Sequence, residues 1–140
     1  NGKWYRMREY YFDSRKEGRQ RTDEEHYTEL EKLADGLHIS AVIVDPSAAS
    51  FIEVIRRHGR FRVEKASNAV IDGIRNVATR LQCGDIFICD CCTDCIREFG
   101  MYRWDEKALM DKPIKENDHS MDDVRYFVHK VFAPELFSFK

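Results

Sequence analysis

No stretch of eighteen apolar residues occurs in this 140-residue chain, so no segment is long enough to cross a bilayer as a helix. The N-terminal residues lack a basic segment followed by an apolar one, which leaves secretion without support. Net charge is nearly absent too: 23 Lys and Arg stand against 25 Asp and Glu, a formal charge of -2. That balance gives no bulk attraction to nucleic acid, so contact with DNA has to go through a local basic patch or metal ions. Also missing are an internal repeat, a linker long enough to divide the chain, and a G-x4-GK[ST] phosphate loop. With 43% hydrophobic and 12% aromatic residues, disorder is excluded. A single domain is expected, burying roughly 68% of the surface its unfolded chain would expose. Charged residues make up 34%, which predicts a heavily ionic surface.

Cysteine is plentiful but badly spaced for cross-linking. Cys83, Cys89, Cys91, Cys92 and Cys95 form an odd set crowded into one stretch, whereas a disulfide framework needs cysteines spread along the chain. Cys92-Thr93-Asp94-Cys95 is a C-x2-C pair, but structural zinc needs a second ligand pair about 12 or more residues away. Cys89 and Cys91 are too close to supply it, and no His lies nearby. Two readings stand: a zinc-stabilised, non-enzymatic interaction module, or a strand end (Ile86-Phe87-Ile88-Cys89) running into a helix that buries small thiols. The second predicts reduced thiols in a cytoplasmic protein.

Asn1-Gly2 ahead of the Tyr- and Trp-rich run from Lys3 to Phe12 is a strong signal for a two-residue hairpin turn. Only the second arm is present, which suggests a domain whose first strand lies upstream. Ser14 to Arg21 reads as a polar, basic loop. Thr22 with Glu25 three residues on is a capping box, opening a helix that carries Tyr27, Leu30, Leu33 and Ala34 on one face and stops at Gly36. Ile39 to Val44 is an apolar, β-branched run of buried-strand type, closed by Asp45-Pro46. A helix over Ser50 to His58 ends before Gly59, and Phe61 to Glu64 alternates as a short strand. Helical spacing returns from Ala69 to Leu81, a buried strand from Ile86 to Cys89, and helices over Thr93 to Tyr102 and Met121 to Phe132. Trp104 to Asn117 is charged and irregular. Strand alternating with helix after one antiparallel arm predicts an α/β domain with a mixed sheet.

Three residues stand out chemically. Asp45 leaves the carboxyl end of an apolar strand, where open α/β sheets place their ligands. It is equally suited to capping the turn Pro46-Ser47-Ala48. His119 and Asp122 stand i,i+3 at the start of the last helix, so they share a face, opposite a core stripe of Met121, Val124, Val128, Val131 and Phe132. An imidazole and a carboxylate one turn apart can hold a divalent ion; the plainer reading is a solvated first turn whose acids complement the helix dipole. Acids from separate elements converging on one cleft are what a two-metal centre requires. Arg15, Lys16, Arg19 and Arg21 form the densest basic run, either a backbone-tracking DNA contact or a solvated loop.

Three stretches carry a resemblance. Val42-Ile43-Val44-Asp45-Pro46-Ser47-Ala48, Asn68-Ala69-Val70-Ile71-Asp72-Gly73-Ile74-Arg75, and Asp118-His119-Ser120-Met121-Asp122-Asp123-Val124-Arg125-Tyr126 together resemble the nuclease domain at the C-terminal end of the large terminase subunit of tailed bacteriophages and prophages. Gly2-Lys3-Trp4-Tyr5 through Glu9-Tyr10-Tyr11 resembles that domain's second strand, and Thr22-Asp23-Glu24-Glu25 the start of its first helix, so the whole chain is covered in order. The Asp-His-x-Met-Asp-x-x-Arg-Tyr stretch is the most specific element, and Asp-Pro-Ser the next.

The resemblance implies a ribonuclease-H-like fold, a mixed β-sheet flanked by helices, and a divalent-metal endonuclease that cuts concatemeric double-stranded viral DNA during packaging. It implies Asp45, His119 and Asp122 as metal ligands and catalytic residues around two Mg²⁺ or Mn²⁺ ions, with Asp123 as a neighbour. A further Asp on the family's first strand has no counterpart here, since that strand would lie before Asn1; this fits the one-armed hairpin and implies a weakly active, N-terminally truncated domain without the ATPase motor. Double-stranded DNA, the terminase small subunit and the portal are the implied partners, no membrane is involved, and the host bacterial cytoplasm is the implied location. Two ions about 3.5–4 Å apart suit phosphodiester hydrolysis, because they activate the attacking water and stabilise the leaving oxygen. A different ribonuclease-H-like nuclease, such as a junction resolvase, would share the acids without the Asp-His-x-Met-Asp context.

Overall fold

Caps and helix-breaking residues set the element boundaries. The computed structural model describes residues 2–67, 70–101 and 119–136. Its elements run β1 (Trp4–Arg6), α1 (Ser14–Glu17), α2 (Asp23–Leu33), β2 (Val42–Val44), α3 (Ala49–His58), β3 (Val63–Lys65), α4 (Val70–Gln82), β4 (Ile86–Ile88), α5 (Thr93–Met101) and α6 (His119–Leu136). Two compact units divide the chain: Glu9–Ala66, and Asn1–Arg8 together with Ser67–Lys140.

In the Glu9–Ala66 unit, the basic stretch expected as a loop forms a short helix. Asp13 Oδ1 accepts from the Arg15 and Lys16 amides, and Gly18 closes the turn at φ 73°. Local caps at both ends suffice for one turn where propensity alone would not. The Thr22–Glu25 capping box is present in both directions: the Glu25 amide donates to Thr22 Oγ1 at 3.1 Å and the Thr22 amide to Glu25 Oε1 at 3.0 Å. Helix α3 ends in a left-handed Gly59, φ 69°, whose N–H reaches back to Ile55 and Arg56. Between the helices, Tyr27 stacks on His58 with ring centroids 3.8 Å apart, and His58 Nε2 lies 2.9 Å from Glu24 Oε1. Tyr27, Ala34, Val44, Ile52, Ile55 and Phe61 form the core.

The other unit is built from β1, α4, β4, α5 and α6. Its core joins Ile86, Cys92, Cys95, Met121, Val124, Val128 and Phe132. The apolar periodicity of α4 places Val77 and Leu81 against that core. Helix α4 packs on α6, and Gly73 is the reason they come so close: a Cβ there would lie 2.5 Å from Arg125 Cγ.

The expected single mixed sheet is not what the described strands make. They form two two-stranded ladders, β1–β4 and β2–β3, both parallel. For β2 and β3 the direction follows from the connection: α3 joins them, and a helical crossover returns the chain in the same direction. Each strand is three residues long. The extended run read from Lys3 to Phe12 is therefore a strand only over Trp4–Arg6. Helix α6 starts two residues earlier than its apolar stripe suggested, so His119 and Asp122 both lie in its first turn. Asn1 and the irregular segment 104–117 lie outside the described residues. No helix of the described residues is long and apolar enough to cross a membrane.

The capping box gives a direct stability test. Thr22→Ala removes the acceptor for the Glu25 amide and should cost about 1 kcal/mol in urea unfolding. Thr22→Ser should cost only a few tenths, since the oxygen remains.

Candidate functional site

The first turn of α6 holds two of the three expected ligands, and what anchors that turn is a buried acid. Glu98 on α5 is 0% exposed, and its Oε1 accepts from the Ser120 amide at 2.7 Å and the Met121 amide at 3.3 Å. These are two of the N–H groups that a helix start leaves without an intrahelical partner. A carboxylate there gains both the hydrogen bonds and the favourable end of the helix dipole. His119 is exposed, and the Asp122 side chain is 23% exposed. Asp118, the first residue of the motif, lies outside the described residues.

Arg125 is the second anchor. Its side chain is 4% exposed and its Nη2 donates to Asp122 Oδ1 at 2.9 Å. The stem lies across Gly73 of α4, where Cγ and Cδ would stand 2.5 and 2.7 Å from any added Cβ. Sequence reasoning assigned no role to Glu98, Arg125 or Gly73. A signal existed for two of them: Glu98 stands i+3 from Cys95, and Arg125 i+4 from Met121, so each places a charge on an otherwise core-facing stripe.

Asp123, the next residue, behaves differently from Asp122. It lines a cavity of about 150 Å³ beside β1 and β4, with Trp4, Arg6, Ile86, Ile88 and Phe127. The residue is exposed as a whole, but its carboxyl, facing that cavity, is desolvated, which pushes it up to about 6. Arg6 pulls against that shift, while Asp122 and Glu98 add to it.

Asp45, the third expected ligand, belongs to the Glu9–Ala66 unit, directly after β2. Its Oδ1 accepts from both the Ser47 amide and Ser47 Oγ at 2.9 Å. The turn-capping role is thus present, and it fixes the carboxylate's orientation at the strand end. In the basic run, Arg19 pairs with Glu25 at 3.1 Å. Arg21 donates to Tyr10 Oη at 2.9 Å and lies 4.6 Å from the Phe12 ring centroid. Both guanidiniums are engaged within their own unit, whereas Arg15 and Lys16 are exposed.

Two of the cysteines serve the core: Cys92 and Cys95 are fully buried, Cys89 is half-buried, Cys83 and Cys91 are exposed, and none of the five is disulfide-bonded. Cys91 Sγ donates to the Met7 carbonyl at 3.0 Å, and Cys92 Sγ to that of Arg6 at 3.4 Å, tying the β4–α5 turn to β1.

For a divalent cation, His119 and Asp122 offer a nitrogen and a hard oxygen one turn apart with access to solvent. That donor chemistry fits Mn²⁺ or Mg²⁺. Among the described residues of the whole chain, no group of three or more His, Cys, Asp or Glu side chains stands close enough to hold a metal ion. The pair is therefore part of a ligand set rather than a complete one.

Two outcomes follow from Glu98 and Asp123. Glu98→Ala strips the acceptor from two buried amides and should destabilise the chain by about 2 kcal/mol in chemical denaturation, with Glu98→Gln losing less because one oxygen remains. Asp123 carries a carboxyl raised above its unfolded value, so its ionised form opposes folding above about pH 6 and the penalty is gone below about pH 4. Asp123→Asn should raise the melting temperature at pH 7.5, and the gain should fade on acidification to pH 4. A gain of equal size at both pH values would refute the assigned cause.

No family model matches the chain. Among curated proteins, the large terminase subunit of Escherichia phage T5 is 24% identical over 128 residues, spanning 87% of this chain and 29% of that protein. Among solved structures, the large terminase of a thermophilic bacteriophage is 50% identical with a TM-score of 0.89, covering 94% of this chain and 34% of that one. Its complex with ADP is 49% identical with a TM-score of 0.90, covering 99% and 35%. The chain spans 29% to 35% of the length of these relatives. By sequence and by fold, it is a homologue of part of the large terminase subunit.

Proposed function

We propose that the chain is the DNA-cutting part of a large terminase subunit, a metal-dependent endonuclease acting on concatemeric double-stranded viral DNA during genome packaging. The observation that carries this reading is the first turn of α6, where His119 and Asp122 stand together on a helix start held by Glu98, in a chain about half identical to a phage large terminase. On this reading the short parallel strands belong to a ribonuclease-H-like sheet. Asp45, His119 and Asp122 serve as ligands for two Mg²⁺ or Mn²⁺ ions. The terminase small subunit and the portal are then its packaging partners, in the host cytoplasm.

When bound, two divalent ions supply the activation of water and the charge neutralisation that phosphodiester hydrolysis needs. The chain's own residues do the rest. Asp45, its Oδ1 held by Ser47, presents a carboxylate of fixed orientation at a strand end. Asp122, held by Arg125, presents a second one, and His119 adds an imidazole nitrogen. A phosphate backbone approaching two ions no longer needs a basic protein, which accommodates a formal charge of -2.

The test is plasmid nicking with Mn²⁺, against EDTA, on this 140-residue chain and on a longer one that includes upstream residues. The family resemblance calls for one more carboxylate upstream, so the short chain should cut poorly and the longer one should cleave duplex DNA with little sequence preference. Asp45→Ala and Asp122→Ala should each abolish cleavage by removing an anionic ligand. His119→Ala should reduce it less, since imidazole brings no negative charge. Undiminished cleavage by Asp122→Ala would mean the ligand is misassigned.

A further inference from the structure

We propose that Arg125 is a positioning residue for Asp122, fixing the direction of its carboxylate before any cation arrives, with Gly73 providing the space. The inference rests on the metal-site reading above and adds a residue to it.

A guanidinium 4% exposed is costly to bury, and this one is poorly compensated. Its Nε and Nη1 find no hydrogen-bond partner among the described residues. Its neighbours in the groove between α4, α5 and α6 are apolar: Ile74, Val77, Phe99 and Met121. An apolar side chain of similar length would fill the same space without the desolvation penalty, so packing does not account for an arginine here. The ring of Tyr126, 5.0 Å from the guanidinium, offsets only a small part of that penalty. What the arginine does make is one short, charge-assisted bond, from Nη2 to Asp122 Oδ1 at 2.9 Å.

That bond has a geometric consequence. Holding one carboxylate oxygen from a buried, immobile donor fixes the side-chain torsions of Asp122 and thereby the direction of the second oxygen. The Asp122 side chain is 23% exposed, and an aspartate can adopt several rotamers in a helix's first turn; the bond from Arg125 favours one of them. Groups that orient a metal-binding side chain typically contribute about 10–100-fold to metal affinity. The position of Arg125 is set in turn by Gly73, since a methyl group there would overlap its Cγ and Cδ and push the stem out of the groove.

The contact uses a single N–H, so a lysine ammonium can replace it, whereas methionine cannot. Packing runs the other way: in an apolar groove methionine is the better filler and lysine the worse. A positioning role and a structural role therefore predict opposite rank orders. The experiment measures Mn²⁺ affinity by calorimetry and melting temperature without metal, on the full chain, for wild type, D122A, R125K, R125M and G73A. Positioning predicts that R125M weakens Mn²⁺ binding by about tenfold or more, that R125K stays within about threefold of wild type, and that G73A weakens binding with every charge retained. R125M is expected to melt no lower than R125K. Should R125M and G73A bind Mn²⁺ as wild type does while D122A does not, the inference is overturned and the metal site stands. If wild type binds Mn²⁺ no better than D122A, the metal site itself is wrong and the inference falls with it.

Discussion

The carboxylate of Glu98, buried beneath the first turn of α6, is the contact on which the rest of its unit depends. A charge with no solvent exposure is tolerable only where donors meet it, and here the donors are the amides of Ser120 and Met121. The contact fixes where α6 begins and holds that end against α5. From that fixed end the core stripe of Met121, Val124, Val128 and Phe132 runs into Ile86, Cys92 and Cys95. The other side of the same turn carries His119 and Asp122. Stability and candidate chemistry thus share one helix start, with a buried acid and a buried arginine beside it.

Much of the fold was legible because local rules governed it. The Thr22–Glu25 capping box, the left-handed Gly59 and the apolar periodicity of α4 and α6 depend only on neighbours a turn away, and each is where the residues place it. Strand pairing was less legible. Three-residue strands leave too short an alternation to fix direction, and the one-armed hairpin reading argued for an antiparallel neighbour that the described residues do not contain. The helix at Ser14–Glu17 was hidden for a different reason: its caps, Asp13 and Gly18, are strong only in combination.

For the candidate site, the residue pattern supplied the groups that would meet a ligand but not those behind them. His119 and Asp122 could be paired from their i,i+3 spacing, and Asp45 from its place after an apolar run. Glu98 and Arg125 act across tertiary contacts, Glu98 from α5 and Arg125 by lying over Gly73 of α4. Nothing in linear spacing announces such partners except that each puts a charge where the helical period calls for an apolar side chain. The two adjacent acids show how finely placement matters: Asp122 is held by an arginine, while Asp123, one residue on, is pressed by desolvation up to about 6.

The proposed reading assigns Asp45, His119 and Asp122 to the same ions. Its most direct test is Mn²⁺ titration of the isotopically labelled chain, read as paramagnetic broadening of backbone amide signals, which registers even weak binding. The account predicts that the amides around Asp45 and those around His119 and Asp122 broaden together at the lowest Mn²⁺ concentrations, and that Asp122→Ala removes both effects at once. Broadening confined to one of the two regions, or spread evenly over the exposed acids, would contradict it.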